Sequence, residues 1–158
     1  MKKWIAGVVL LVAALQAWQQ YQGAGEDQAL APAATRQDAA PSAAPSGEAA
    51  SVIAAAFREQ RSNVQVQGAG SVSRILADDR EGAAHQRFIV RLASGQTVLI
   101  AHNIDLASRV AGLREGDAIE FFGEYEWNAQ GGVVHWTHRD PDGRHVSGWL
   151  RHQGRTYQ

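Results

Sequence analysis

All six histidines of the chain lie in its C-terminal half, at His85, His102, His135, His138, His145 and His152. Three of them fall with Asp140 inside the run HWTHRDPDGRH, residues 135–145. Neutral imidazoles with a carboxylate suit Zn²⁺ or another divalent ion of borderline softness, and three protein ligands leave a coordination position for water. The run therefore points to a metal site of His135, His138, Asp140 and His145. With Glu124 or Glu126 as base, it also points to metal-dependent hydrolysis, for instance of a phosphodiester. Strand geometry sets a condition on this site. His135 and His138 face opposite sides of an extended strand, so they share an ion only where the strand ends or bulges between them. His138 and Asp140 share a face, and Asp140-Pro141-Asp142-Gly143 can turn His145 back toward them. The plainer use of the same residues is structural: they pin an irregular tail, and Asp140 shapes its own turn.

Two further groups could bind a ligand. His102, Asn103 and Asp105 stand where a strand should enter a helix, whose first N–H groups can receive an anion, although Asn and Asp there more often serve as caps. Trp127, Trp136 and Trp149, with Tyr125, could stack on sugars or bases, or could fill a small core. Nucleic acid is disfavoured as a partner, because the net charge is −1 and the only lysines are Lys2 and Lys3. The chain has no cysteine, which excludes disulfides and thiolate metal sites.

The elements that must position these residues are mostly strands. Val64, Val66, Gly68, Gly70 and Val72 alternate with polar residues, as in a long half-buried strand, and the two glycines suit a strand that must coil sharply. A polar loop at 77–85 leads to a second strand marked by Phe88, Val90 and Leu92. The Ser94-Gly95 turn opens a third at 97–101. Leu106, Val110 and Leu113 lie at i, i+4 and i+7, predicting a short helix with Gly112 near its end. AIEFFGEYEW then alternates as a fourth strand, and VVHWTH reads as a fifth, with the last residues as a sixth strand or a covering tail. Three strands, a helix and two strands is the order of the OB-type Greek-key barrel. The expected fold class is thus mainly β: a five- to six-stranded barrel over residues 63–158, with one short helix inside it and a docking helix at 51–62.

Ahead of the barrel, Lys2 and Lys3 precede the twelve-residue run WIAGVVLLVAAL, the charged-then-apolar order of an export signal. Residues 1–21 are expected to be a cleaved signal peptide or an N-terminal anchor in the inner membrane. The Ala-, Pro- and Ser-rich stretch 22–50 reads as a disordered linker with a mean reach of about 30 Å. Ser46 or Ser51 can cap the docking helix, in which Val52, Ile53, Ala56 and Phe57 share a face.

The motifs GxGxVxxxLxDDxxGxxHQRF, GQTxLxAHNIDLA, GDxxxFxGxYEWN and GGVVHWTHRDPDGRHVSGWL, spread from Gly68 to the closing YQ, resemble an uncharacterised bacterial domain of unknown function, family 3465. The resemblance implies a small OB-like barrel and a setting, and carries no reaction with it. The reading is therefore an exported, periplasmic binding module held at the inner membrane. Its ligand would be a small molecule, a glycan or an envelope protein. A metal-dependent hydrolase using the His/Asp run is the alternative, and a structural factor of the envelope is a third.

Overall fold

The computed structural model describes residues 46–158, where the alternating runs form strands around a buried apolar interior. A helix, α1 (Ser46–Arg58), precedes β1 (Val64–Ile75), β2 (His85–Leu92), β3 (Thr97–Asn103), β4 (Ala118–Glu126), β5 (Val133–His135), β6 (Trp149–His152) and β7 (Arg155–Tyr157). The expected signal or anchor, and the linker up to residue 45, lie outside the described residues. The last five residues assigned to the linker open α1 instead, and Ala49 and Ala50 are already buried there. Among the described residues no helix is long and apolar enough to cross a membrane.

The barrel closes in the order β1-β2-β3-β5-β4 and back to β1, with β3 and β5 parallel and the other pairs antiparallel. This is the OB-type Greek key. Closure depends on β1 serving two neighbours: Val64–Ser71 pair with β4, and Gly70–Ile75 pair with β2. The strand is handed from one to the other at Gly70. A Cβ at Gly70 would stand 2.4 Å from the Arg91 carbonyl oxygen, so no side chain fits at the crossing. Gly68 has a different neighbour, since its Cβ would meet the Phe121 ring at 2.7 Å and Ala49 at 2.8 Å. That close approach seats α1 on the barrel, where Ile53 and Ala56 are fully buried beside Val66, Phe88, Ile100, Phe121 and Tyr125. Burying a side chain the size of Ile53 contributes about 1.5–3 kcal/mol.

No helix forms between β3 and β4, contrary to the 3.6-residue spacing of Leu106, Val110 and Leu113. Residues 104–113 run through successive turns, with Leu106 48 % exposed and Val110 buried. The reason is Gln86, which is buried in β2. Its Oε1 accepts from the Val110 N–H at 2.8 Å and its Nε2 donates to the Val110 carbonyl at 3.2 Å. Both backbone groups of Val110 are thereby paired with a side chain, and the helical alternative has nothing to add. His102 fixes the same segment. Its side chain is fully buried, with Nε2 3.2 Å from the Ser108 carbonyl and Nδ1 2.9 Å from Thr137 Oγ1. Burial pushes its pKa down to about 4.

The expected fifth strand ends early. Trp136 has φ +52°, a left-handed conformation that few bulky residues adopt, and β5 stops at His135. β4 then continues along the same edge with a different partner, because β5 lies opposite Glu124–Glu126 and β6 lies opposite Ile119–Phe122. β5 and β6 are two parts of one edge, and residues 136–148 leave the sheet between them as an arm. Gly148 closes the arm at its base. Its N–H donates to the His138 carbonyl at 2.9 Å, and a Cβ there would stand 2.0 Å from the Trp136 carbonyl oxygen and 2.3 Å from that of Phe122. β6 turns into β7 through Gln153 and Gly154, both at positive φ, as a tight hairpin requires.

Gly148→Ala forces a methyl group against two backbone carbonyls that cannot move aside, and it should destabilise the fold by about 1–3 kcal/mol. Gly47→Ala, in open space on α1, should be neutral or mildly stabilising. Denaturant midpoints of the two variants compare them directly. For His102, the unfolded chain takes up a proton near pH 6.5 while the folded ring resists to about 4. The unfolded state thus binds more protons between those values, and stability should fall as pH drops through that window, by about 3 kcal/mol in all. The difference between the pH–stability curves of wild type and His102→Gln isolates this contribution.

Candidate functional site

Alternation along β4 buries Ile119, Phe121 and Tyr125 and turns Glu120, Phe122, Glu124 and Glu126 outward. The β4–β5 register sets His135 opposite Glu124. One ligand atom from each of Glu124, Glu126 and His135 lies within 4.8 Å of the other two, and no other trio of His, Asp or Glu among the described residues comes as close. His135 Nε2 stands 3.8 Å from Glu124 Oε1 and 3.9 Å from Glu126 Oε1. Those separations are too long for hydrogen bonds. They are close to the spacing of about 3.4 Å between donors that bind one ion tetrahedrally at about 2.1 Å. Nε2 is also shielded from solvent and has no hydrogen-bond partner. The His135 ring beside Glu126 holds that carboxyl below its ordinary range, aided by Ser62 and the Asn63 backbone and opposed by burial.

The quartet expected from the sequence, His135, His138, Asp140 and His145, does not meet. Only His135 belongs to the trio. His138 is turned inward, 4 % exposed, with Nδ1 2.8 Å from the Arg139 carbonyl and its ring 5.3 Å from that of Trp136. Asp140 spends its carboxylate on its own turn: Oδ1 accepts from the Asp142 N–H at 3.0 Å, and Oδ2 from Arg144 at 2.6 Å and His145 at 2.7 Å. These amides, Asp142 foremost, lower its carboxyl, with His145 and Arg144 contributing and burial opposing. His145 comes back to the sheet, where its Nε2 donates to Glu124 Oε2 at 2.8 Å. Its ring stacks on Trp136, with centroids 4.0 Å apart and planes 10° apart. Glu124 and Glu126, expected as bases, are the two carboxylates of the trio.

The other expected ligand residues are used to build the fold. His102 is sealed in the interior, Asn103 Oδ1 accepts from the Asp105 and Leu106 amides, and Asp105 Oδ2 accepts from Ala84 at 2.8 Å. Without a helix after β3 there is no helix end to receive an anion. Trp127 braces α1 by donating its ring N–H to the Phe57 carbonyl at 3.1 Å. Trp149 pairs with Phe122 across β4 and β6, with Arg151 over its ring. Trp136 alone of the three touches the site, with its ring 6.3 Å from that of His135 and stacked on His145.

No curated protein matches this chain. A family model does, over residues 39–158, which spans α1, the whole barrel and the arm. The chain belongs to the family described as "Protein of unknown function (DUF3465)".

Proposed function

We propose that the protein is an exported binding module, tethered at the inner membrane, whose ligand centre is a divalent transition-metal ion held by Glu124, Glu126 and His135. The observation that carries this reading is the convergence of two carboxylates on an imidazole nitrogen that is shielded from water and has no hydrogen-bond partner. One nitrogen and two oxygen donors suit Zn²⁺ and its borderline neighbours, whereas Ca²⁺ takes six to eight oxygens. Export rests on the Lys2-Lys3 and WIAGVVLLVAAL segment, ahead of the Ala/Pro/Ser-rich stretch that leads into α1. Three protein ligands leave coordination positions for a small molecule, a glycan or a group on an envelope protein. The same open positions admit water, which makes a metal-dependent hydrolase the second reading.

Titration of the full chain with Zn²⁺, followed by calorimetry, should show one ion per chain. Binding should weaken by about 100-fold or more in Glu126→Gln and in His135→Ala, because each removes a ligand. Saturating Zn²⁺ at about 100 times Kd should raise wild-type stability by about 2.7 kcal/mol. A wild type that takes up no Zn²⁺, or variants that take it up equally well, would overturn the ion site. Export is tested separately by fusing residues 1–50 to a reporter enzyme active only outside the cytoplasm. The fusion should be active, and loss of Lys2, Lys3 and the apolar run should silence it.

A further inference from the structure

We infer that the arm at 136–148 is the positioning device of the ion site, and that His145 acts through Glu124 without ligating the ion. This rests on the ion-site reading above. The two oxygens of Glu124 have different neighbours: Oε1 faces His135 Nε2 at 3.8 Å, while Oε2 accepts from His145 Nε2 at 2.8 Å. A glutamate on the outer face of a strand has three rotatable bonds, and the bond from His145 selects the arrangement in which Oε1 is the oxygen presented to the ion. Hydrogen bonds to the second oxygen of a ligating carboxylate characteristically set its orientation and its strength as a ligand.

The rest of the arm holds His145 in place. The left-handed Trp136 ends β5 and lays its ring under the imidazole. Asp140 gathers three backbone amides, including that of His145 itself, and its own N–H reaches Ser147 Oγ at 3.3 Å. The other ring nitrogen of His145, Nδ1, lies 2.9 Å from the Val146 carbonyl, and Gly148 draws the two ends of the arm together. The most conspicuous run in the sequence thus supplies one ligand at its first residue, His135. Three of its other residues, Trp136, Asp140 and His145, orient a ligand that lies elsewhere in the chain.

The test is Zn²⁺ titration of the full chain carrying His145→Ala, His145→Gln, Asp140→Ala, or His145→Ala with Asp140→Ala. His145→Ala should weaken Zn²⁺ binding about 10- to 100-fold, the range for loss of a residue that orients a ligand. His145→Gln retains an N–H donor at similar reach and should restore affinity to within a few-fold of wild type. Asp140→Ala should weaken binding on its own, yet add little in the double variant, because both changes act through one bond to Glu124. Wild-type affinity in His145→Ala, while Glu126→Gln loses binding, overturns this inference and leaves the ion site standing. Loss in His145→Ala that glutamine does not restore also overturns it. A wild type that binds no Zn²⁺ overturns both. Circular dichroism and thermal midpoints of each variant without metal separate a loosened arm from an unfolded barrel, and a variant that fails to fold is replaced in the comparison by the His145→Gln and Asp140→Ala pair.

Discussion

The antiparallel register between β4 and β5 is the constraint on which the candidate site depends. A slip of one residue would turn Glu124 and Glu126 into the barrel and bring Tyr125 out, exchanging a polar face for an apolar one along the whole strand. The interior prevents this. Tyr125 is fully buried and donates its hydroxyl to the Gly131 carbonyl at 3.2 Å, and Gly132 leaves room for the ring where any side chain would collide with it. Burial pushes the Tyr125 hydroxyl up to about 12, so it stays protonated and a donor at neutral pH. The inward packing of one tyrosine therefore fixes the outward arrangement of two glutamates and a histidine.

Much of the barrel was legible because its determinants are local. Val64 to Val72 and Ile119 to Tyr125 alternate with period two, and both long strands follow that alternation. The glycines at 68 and 70 marked the bend of β1, and the structure gives each a close contact as its reason. What was not legible depended on partners distant in sequence. The spacing of Leu106, Val110 and Leu113 satisfies a helix, but Gln86, 24 residues before Val110, takes up the backbone groups a helix would have used. The early start of α1 depended on Gly68 leaving space for Ala49.

The site shows the same division. HWTHRDPDGRH attracts attention through residue type, but type does not distinguish a ligand from the residue that orients one. Asp140 is the clearest case, since its spacing from His138 suits a shared ion while its carboxylate is already filled by three amides of its own turn. β5 ends between His135 and His138, as a shared ion would require. The chain leaves in a direction that buries His138, however, and brings back His145. Finding Glu124 and Glu126 as His135's companions needed the pairing of two strands. The usable signal was a Glu-x-Glu alternation on a strand whose neighbour carries a lone outward histidine.

The seating of α1 has a mechanical consequence. Any pull along the chain from the N-terminal side reaches the barrel at Ser46, immediately before the buried Ala49 and Ala50. Ala49 and Ala50 anchor the helix close to its start, while Gly47 beside them faces open space. Ala49 packs over Gly68, on the strand whose pairing with β4 runs through eight successive residue pairs. A pull entering at Ser46 therefore meets α1 and then β1, the strand with the longest pairing in the barrel.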